Sequence, residues 1–302
     1  MGIGLALSGG GAKGMAHIGV IEALNDYGIK IDYIAGTSSG SIIAALYSAG
    51  FTPNEMLKIV NMNKDKIIDI DKNVGFKLLG SVFSKKVSIK GFVKGNSLEK
   101  LIRNTLKQKE IVDISDVKFP LAISTVDLNT GEIVYFWNKS EDSRTCLIED
   151  NMKYDDEPSY LNKGELAGII RASCSVPGVF VPKQIDADYY VDGGVRVNTP
   201  VEVLRKMGAD KVIAVTFDCN KKPTFNIENV VGISTQAFNI MTHSSNVDEI
   251  ASADVNVHLC LPNISLLDVA KSTYAAKRGY NIVARNIVRI KEMLGINTLE
   301  KM

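Results

Sequence analysis

Apolar residues come in short blocks separated by glycine-rich turns. Ile3 to Ser8 is an apolar run closed by Gly9-Gly10-Gly11. Met15 to Leu24 then carries apolar residues at helical spacing, and Gly28 is a suitable helix stop. Tyr33 to Ala35 reads as a second short strand, Gly36 to Gly40 as a tight turn, and Ile42 to Ala49 as a helix of small apolar residues. Strands that are apolar throughout suit a parallel sheet covered by helices on both faces. The same grammar returns late in the chain. Lys211 to Phe217 reads as a strand, Asn229 to Ala251 as a long helix, Asp254 to Leu261 as an alternating strand and Leu266 to Leu294 as a closing helix.

The middle differs. Residues 51–115 are rich in lysine with scattered Ile, Val, Leu and Phe, and predict a helical cap beside the first strands. Leu121 to Val126 and Glu132 to Trp137 flank Asn129-Thr130-Gly131, a hairpin signal. Ser140 to Lys163 is polar and acidic, and reads as a surface excursion. The expected fold is α/β, a three-layer sandwich with a mostly parallel central sheet and a helical cap insertion. The expected organisation is one domain over residues 1–302, with 51–115 as the cap or lid, and 302 residues suffice for it.

The net charge of +1 gives no electrostatic footprint for nucleic acid. Cys146, Cys174, Cys219 and Cys260 form no C-x-x-C pair, so zinc and redox spacing is absent and reduced thiols are expected. The N-terminal MGIGLALSGGGAKG has no basic n-region, and Ala6 breaks the myristoylation pattern. No stretch approaches the roughly 18 apolar residues that span a bilayer. The expectation is a soluble, cytoplasmic protein.

Candidate chemistry lies in the turns. Gly36-Thr37-Ser38-Ser39-Gly40 matches G-x-S-x-G, a nucleophile elbow between an apolar strand and an apolar helix. The helix N-terminus beside Ser38 favours developing negative charge. Gly9 to Gly14 can act as an oxyanion hole, because backbone N–H groups in a glycine loop reach a carbonyl oxygen unobstructed. Asp192-Gly193-Gly194 follows the strand-like Tyr189-Tyr190-Val191, and its carboxylate can accept the Ser38 proton. Each motif has a plainer reading, an ordinary Asp-Gly turn for the last.

Two rivals stay open. Gly9, Gly11 and Gly14 also fit G-x-G-x-x-G, with Asp32 near the spacing of a ribose-binding acid. A triad of Ser38, Asp192 and either His243 or His258 fits an α/β-hydrolase order, although the elbow would come unusually early. The third histidine is His17 on the first helix.

The three motifs in this order resemble the patatin-like phospholipases. Arg171-Ala172-Ser173-Cys174-Ser175-Val176-Pro177-Gly178-Val179-Phe180 resembles that family's R-A-S-x-A-x-P-x-x-F segment, and Asn198-Thr199-Pro200-Val201 its N-x-P-V step. The resemblance implies a Ser38–Asp192 dyad without histidine, and an oxyanion hole of Gly9, Gly10, Gly11 and Ser39. It implies an acyl-enzyme on a lipid acyl ester of phospholipase A or lysophospholipase type, with no metal and no cofactor. An acyltransferase using the same intermediate, or a regulatory protein with little turnover, are the alternatives. The cap lysines Lys85, Lys86, Lys90 and Lys94, set among Phe76, Leu78, Leu79, Val82, Phe83, Val87, Ile89, Phe92 and Val93, suit either a solvated lid face or peripheral contact with the inner membrane face.

Overall fold

The structure is a computed structural model describing residues 1–64, 91–139, 157–217, 230–244, 246–265 and 268–296. Its strands are β1 (Ile3–Leu7), β2 (Tyr33–Thr37), β3 (Leu121–Asp127), β4 (Ile133–Trp137), β5 (Ser159–Leu161), β6 (Lys183–Ile185), β7 (Asp188–Asp192), β8 (Lys211–Thr216) and β9 (Val255–His258). Its α-helices are α1 (Ala16–Asp26), α2 (Ser39–Ser48), α3 (Pro53–Asn63), α4 (Asn96–Leu106), α5 (Leu166–Ser173), α6 (Glu202–Met207), α7 (Val230–Ser244), α8 (Val247–Ser252) and α9 (Ser272–Leu294).

The described strands form one sheet of order β5-β4-β3-β2-β1-β8-β9, with β7 paired to β3 and β6 to β7. Pairing is parallel from β3 through β2, β1 and β8 to β9. The β3–β4 hairpin is antiparallel, as its turn residues predict. The mostly parallel α/β sheet of the sequence reading is therefore present.

The two faces are built differently. Ala122, Ala35, Ala6 and Ala214 stand in register across four strands. These small side chains let Val203, Leu204 and Met207 of α6 settle close to the sheet. On the other face Leu121, Ile34, Leu5 and Ile213 are in register and fully buried beneath α1, α2 and α9. Each contributes about 1.5–3 kcal/mol of burial. Helices α1 and α9 touch backbone to backbone. A Cβ on Gly19 would sit 1.8 Å from the Ala276 carbonyl oxygen, and one on Gly279 2.1 Å from that of Ala16.

Several elements differ from the sequence expectation. The helix expected over 229–251 is two, α7 and α8. Ser and Asn near the break compete for backbone hydrogen bonds and disfavour helix interiors. The closing helix starts at Ser272, after a 3-10 turn at Val269–Lys271. Within the expected surface excursion, Ser159–Leu161 is a strand paired in parallel with β4. Of the expected cap, α3 and α4 are described. Residues 65–90, with Phe76, Leu78, Leu79, Val82, Phe83, Lys85, Lys86, Val87, Ile89 and Lys90, lie outside the described residues, as do 140–156 with Cys146, and Cys219. Cys174 is a free, buried thiol. Cys260 is disulfide-bonded, which corrects the expectation of a reduced thiol there. Among the described residues no helix is long and apolar enough to cross a membrane.

Candidate active site

Ser38 stands where β2 ends and α2 begins, with φ 53° and ψ −124°. That is left-handed territory, rare for a residue with a side chain and costing about 1–3 kcal/mol. The flanking glycines make the turn possible. A Cβ on Gly36 would lie 2.4 Å from the Gly40 carbonyl oxygen, and one on Gly40 would lie 2.2 Å from that of Leu7. Any larger residue would push the elbow off the sheet. The Ser38 N–H donates to Ser173 Oγ at 2.8 Å, and Ser41 Oγ donates to the Ser38 carbonyl at 2.6 Å.

Asp192 ends β7 and is fully buried. Its N–H donates to the Ser175 carbonyl at 3.0 Å. Its Oδ1 accepts the Gly194 N–H at 2.8 Å, while Oδ2 accepts no hydrogen bond among the described residues. Burial pushes this carboxyl up to about 7, against the opposing pull of the Ser38 hydroxyl and the Gly194 amide. The hydroxyl is thus near enough to favour the carboxylate, without a closed hydrogen bond to Oδ2.

The glycine loop leaves the end of β1 beside this pair. The Gly9 N–H, expected among the oxyanion donors, is already engaged by Asn198. It donates to that residue's carbonyl at 3.2 Å and to its Oδ1 at 3.1 Å. The amides of Gly10, Gly11 and Ser39 have no acceptor among the described residues. Gly14 packs on Ser39, where a Cβ would meet Ser39 Oγ at 2.3 Å.

An apolar cavity of about 110 Å³ opens at Ser38, Ser39 and Gly11. Its walls come from Ile42 and Leu46 of α2, Ile59 and Val60 of α3, and Leu98, Leu101 and Ile102 of α4. Cys174 also lines it, its thiol pushed up to about 12 by burial and then by the Asp192 charge. Helices α3 and α4, which fall within the span expected as a cap, thus line the space beside Ser38.

The rival assignments fare differently. Asp32 precedes β2, accepts the Ile3 N–H at 2.9 Å and pairs with Lys30 at 2.8 Å. It stands at the amino end of β1 and β2, whereas a ribose-binding acid stands at the carboxyl end of its strand. The dinucleotide reading is overturned. His258, on β9, hydrogen-bonds Thr216 Oγ1 through Nδ1 at 2.7 Å. Three strand spacings separate β9 from β2, about 14 Å. His243 lies exposed at the end of α7. His17 is buried, with Nε2 2.9 Å from the Ser8 carbonyl, and burial brings it down to about 4, so it is a neutral core histidine. Among the described residues no group of His, Cys, Asp and Glu is arranged to hold a metal ion.

Ser173, Cys174 and Asn198 stand in the sequence only as members of the longer blocks Arg171 to Phe180 and Asn198 to Val201. Their contacts to Ser38, the cavity and Gly9 are fixed by tertiary structure and carry no local signal.

The Bacillus subtilis (strain 168) protein YqhO is 30% identical over 256 residues, covering 81% of this chain and 82% of that one. The Lysophospholipase NTE1 of Scheffersomyces stipitis is 28% identical over 213 residues, covering 70% of this chain but 11% of the longer protein. Mycobacterial NTE family proteins are matched over about half their length, 49%. Among solved structures, VipD from Legionella pneumophila shares the fold with a TM-score of 0.53 at 14% identity, over 95% of this chain and 66% of that one. The family model for patatin-like phospholipase matches residues 5–205, a span that holds the glycine loop, the elbow and the aspartate together, and the chain belongs to that family.

Proposed function

We propose that this chain is a serine hydrolase of lipid acyl esters, with Ser38 as nucleophile and Asp192 as its base. The observation that carries this reading is a fully buried carboxyl beside a strained serine, with an apolar cavity opening at that serine; burial pushes the carboxyl up to about 7. A base poised near the working pH transfers protons most effectively. Asp192 Oδ2, which has no other hydrogen bond, takes the Ser38 proton as Oγ attacks the ester carbonyl. The developing oxyanion is met by the amides of Gly10, Gly11 and Ser39. Losing one such donor costs about 3–4 kcal/mol of barrier stabilisation. Gly9 is outside this set, because its amide is already bonded to Asn198. The acyl chain lies in the cavity between α2, α3 and α4. Asp192 passes the Ser38 proton to the departing alcohol oxygen, which leaves an acyl-Ser38 ester; the freed carboxylate then takes a proton from water as it attacks the ester, and returns it to Ser38 Oγ as the acid is released.

The relatives named as phospholipases and lysophospholipases support a phospholipid or lysophospholipid substrate. Peripheral contact with the inner membrane face, for a cytoplasmic protein, completes the proposal. A serine-directed fluorophosphonate probe tests it. Labelling and ester hydrolysis should both vanish in Ser38→Ala, and hydrolysis in Asp192→Asn. Undiminished hydrolysis in either folded variant would remove the dyad. Product analysis with added alcohol separates hydrolysis from acyl transfer. A wild-type protein that neither labels nor turns over lipid esters is a binding protein instead.

A further inference from the structure

We propose that Ser173 is a positioning residue for the nucleophile, clamping the strained Ser38 backbone to β3 at the step beside Asp192. The inference rests on Ser38 and Asp192 working as a pair.

Ser173 closes α5 and is fully buried. Its hydroxyl donates to the Ser124 carbonyl of β3 at 2.8 Å. A serine hydroxyl has one hydrogen, so that bond commits it, and toward Ser38 the oxygen can only accept. It does so from the Ser38 N–H at 2.8 Å. Among the described residues that amide has no other acceptor. Ser38 lies past the last paired residue of β2 and before the first residue of α2, so neither ladder serves it.

Ser173 also sits two residues from the other half of the pair, since the Ser175 carbonyl accepts the Asp192 N–H at 3.0 Å. Residues 173–175 therefore touch the backbone of both partners and set their separation. The segment is anchored by Arg171. Its guanidinium donates to Ser175 Oγ at 2.6 Å, to the Lys94 carbonyl at 2.6 Å and to the Val181 carbonyl at 2.8 Å. It also stacks on the Phe180 ring at 5.0 Å. Without the Ser173 oxygen, the Ser38 amide loses its acceptor, and the elbow can relax from φ 53° by carrying Oγ away from Asp192.

The test is Ser173→Ala, assayed kinetically beside Ser38→Ala and a thermal melt. The expected result is a kcat lower by about 10- to 100-fold, with KM within about twofold and fluorophosphonate labelling slowed in parallel. The acid limb of kcat/KM should move to higher pH, because the hydroxyl that favours ionised Asp192 has withdrawn. A purely structural serine would lower the melting temperature and leave kcat, labelling rate and pH limb of the folded protein unchanged, which overturns the proposal. Should Ser173→Ala fail to fold, the near-isosteric Ser173→Cys replaces it. A kcat at least tenfold down in that folded variant supports the clamp, and a wild-type kcat overturns it. Full activity in Ser38→Ala would instead strike the dyad itself, so the two failures are distinguishable.

Discussion

Thr37 and Asp192 occupy consecutive stations along one edge of β3: Thr37 lies opposite Ser124 and Asp192 opposite Thr125. Strand β2 runs parallel to β3 and stops there, and β7 arrives antiparallel to take over the same edge, the other edge being filled by β4. The end of one strand and the end of another thus meet head-on. The residue after Thr37 is Ser38, so the Ser38 hydroxyl and the Asp192 carboxyl, the proposed nucleophile and base, are brought together by strand register.

The burial that this meeting imposes on Asp192 has a kinetic consequence. With the carboxyl pushed up to about 7, the fraction able to accept a proton falls below neutrality. The expected profile of kcat/KM rises through an apparent value near 7, and drops about tenfold per pH unit further down. A pH series with a soluble ester checks it. A profile flat down to pH 5 would mean that the base is another group.

Cavity geometry predicts chain-length behaviour. Ser38, Ile42 and Leu46 follow one another at four-residue intervals and all line the cavity. Each interval descends about 6 Å along the helix. Ile42→Trp should therefore block short and long acyl chains alike, whereas Leu46→Trp should spare short-chain esters and depress long-chain ones by tenfold or more. Rates over a series of esters of increasing acyl length give the measurement. Equal losses at every length in Leu46→Trp would place the acyl chain elsewhere.

Gly40→Ala should destabilise the protein by about 1–3 kcal/mol or more, because its Cβ would meet the Leu7 and Ser8 carbonyl oxygens at 2.2 and 2.8 Å. Gly50→Ala is the contrast. A Cβ there meets nothing within 4 Å, but φ is +81°, so its cost comes from the backbone alone. Denaturant titrations of the two variants compare clash with strain.

These glycines explain how much of the site was legible in the sequence. Gly36, Gly40, Gly9 and Gly193 each face a backbone or side-chain atom closer than 3 Å to where a Cβ would go, so residue choice itself records the close approach. Ser38 and Asp192 were readable because they stand beside such glycines at strand ends. Which loop amides lack an acceptor among the described residues was not: that of Gly9 is engaged by Asn198, 189 residues away. Pairing of β7 on the edge of β3, and the Ser173 contact to Ser38, are equally long-range. No local period records them, whereas the helical spacing of α1 and the turn residues between β3 and β4 are visible within a dozen residues.

Asp192 should also be a stability liability that its removal exposes. Its folded carboxyl lies at about 7, above the ordinary 3.8 of the unfolded chain. Between those values the folded state holds a proton that the unfolded state has lost. Its contribution to stability is therefore fully present below about pH 3.8 and is lost as pH rises toward 7. Asn in its place cannot ionise, and its Oδ1 can still accept the Gly194 N–H. The expected outcome is an inactive Asp192→Asn protein that melts above the wild type at pH 8. That advantage should narrow steadily as the pH is brought down from 7 to 5. Thermal melts of both proteins across that range decide it. A constant difference at every pH would mean that Asp192 titrates as it does in the unfolded chain, and the base proposed for Ser38 would have no raised pKa.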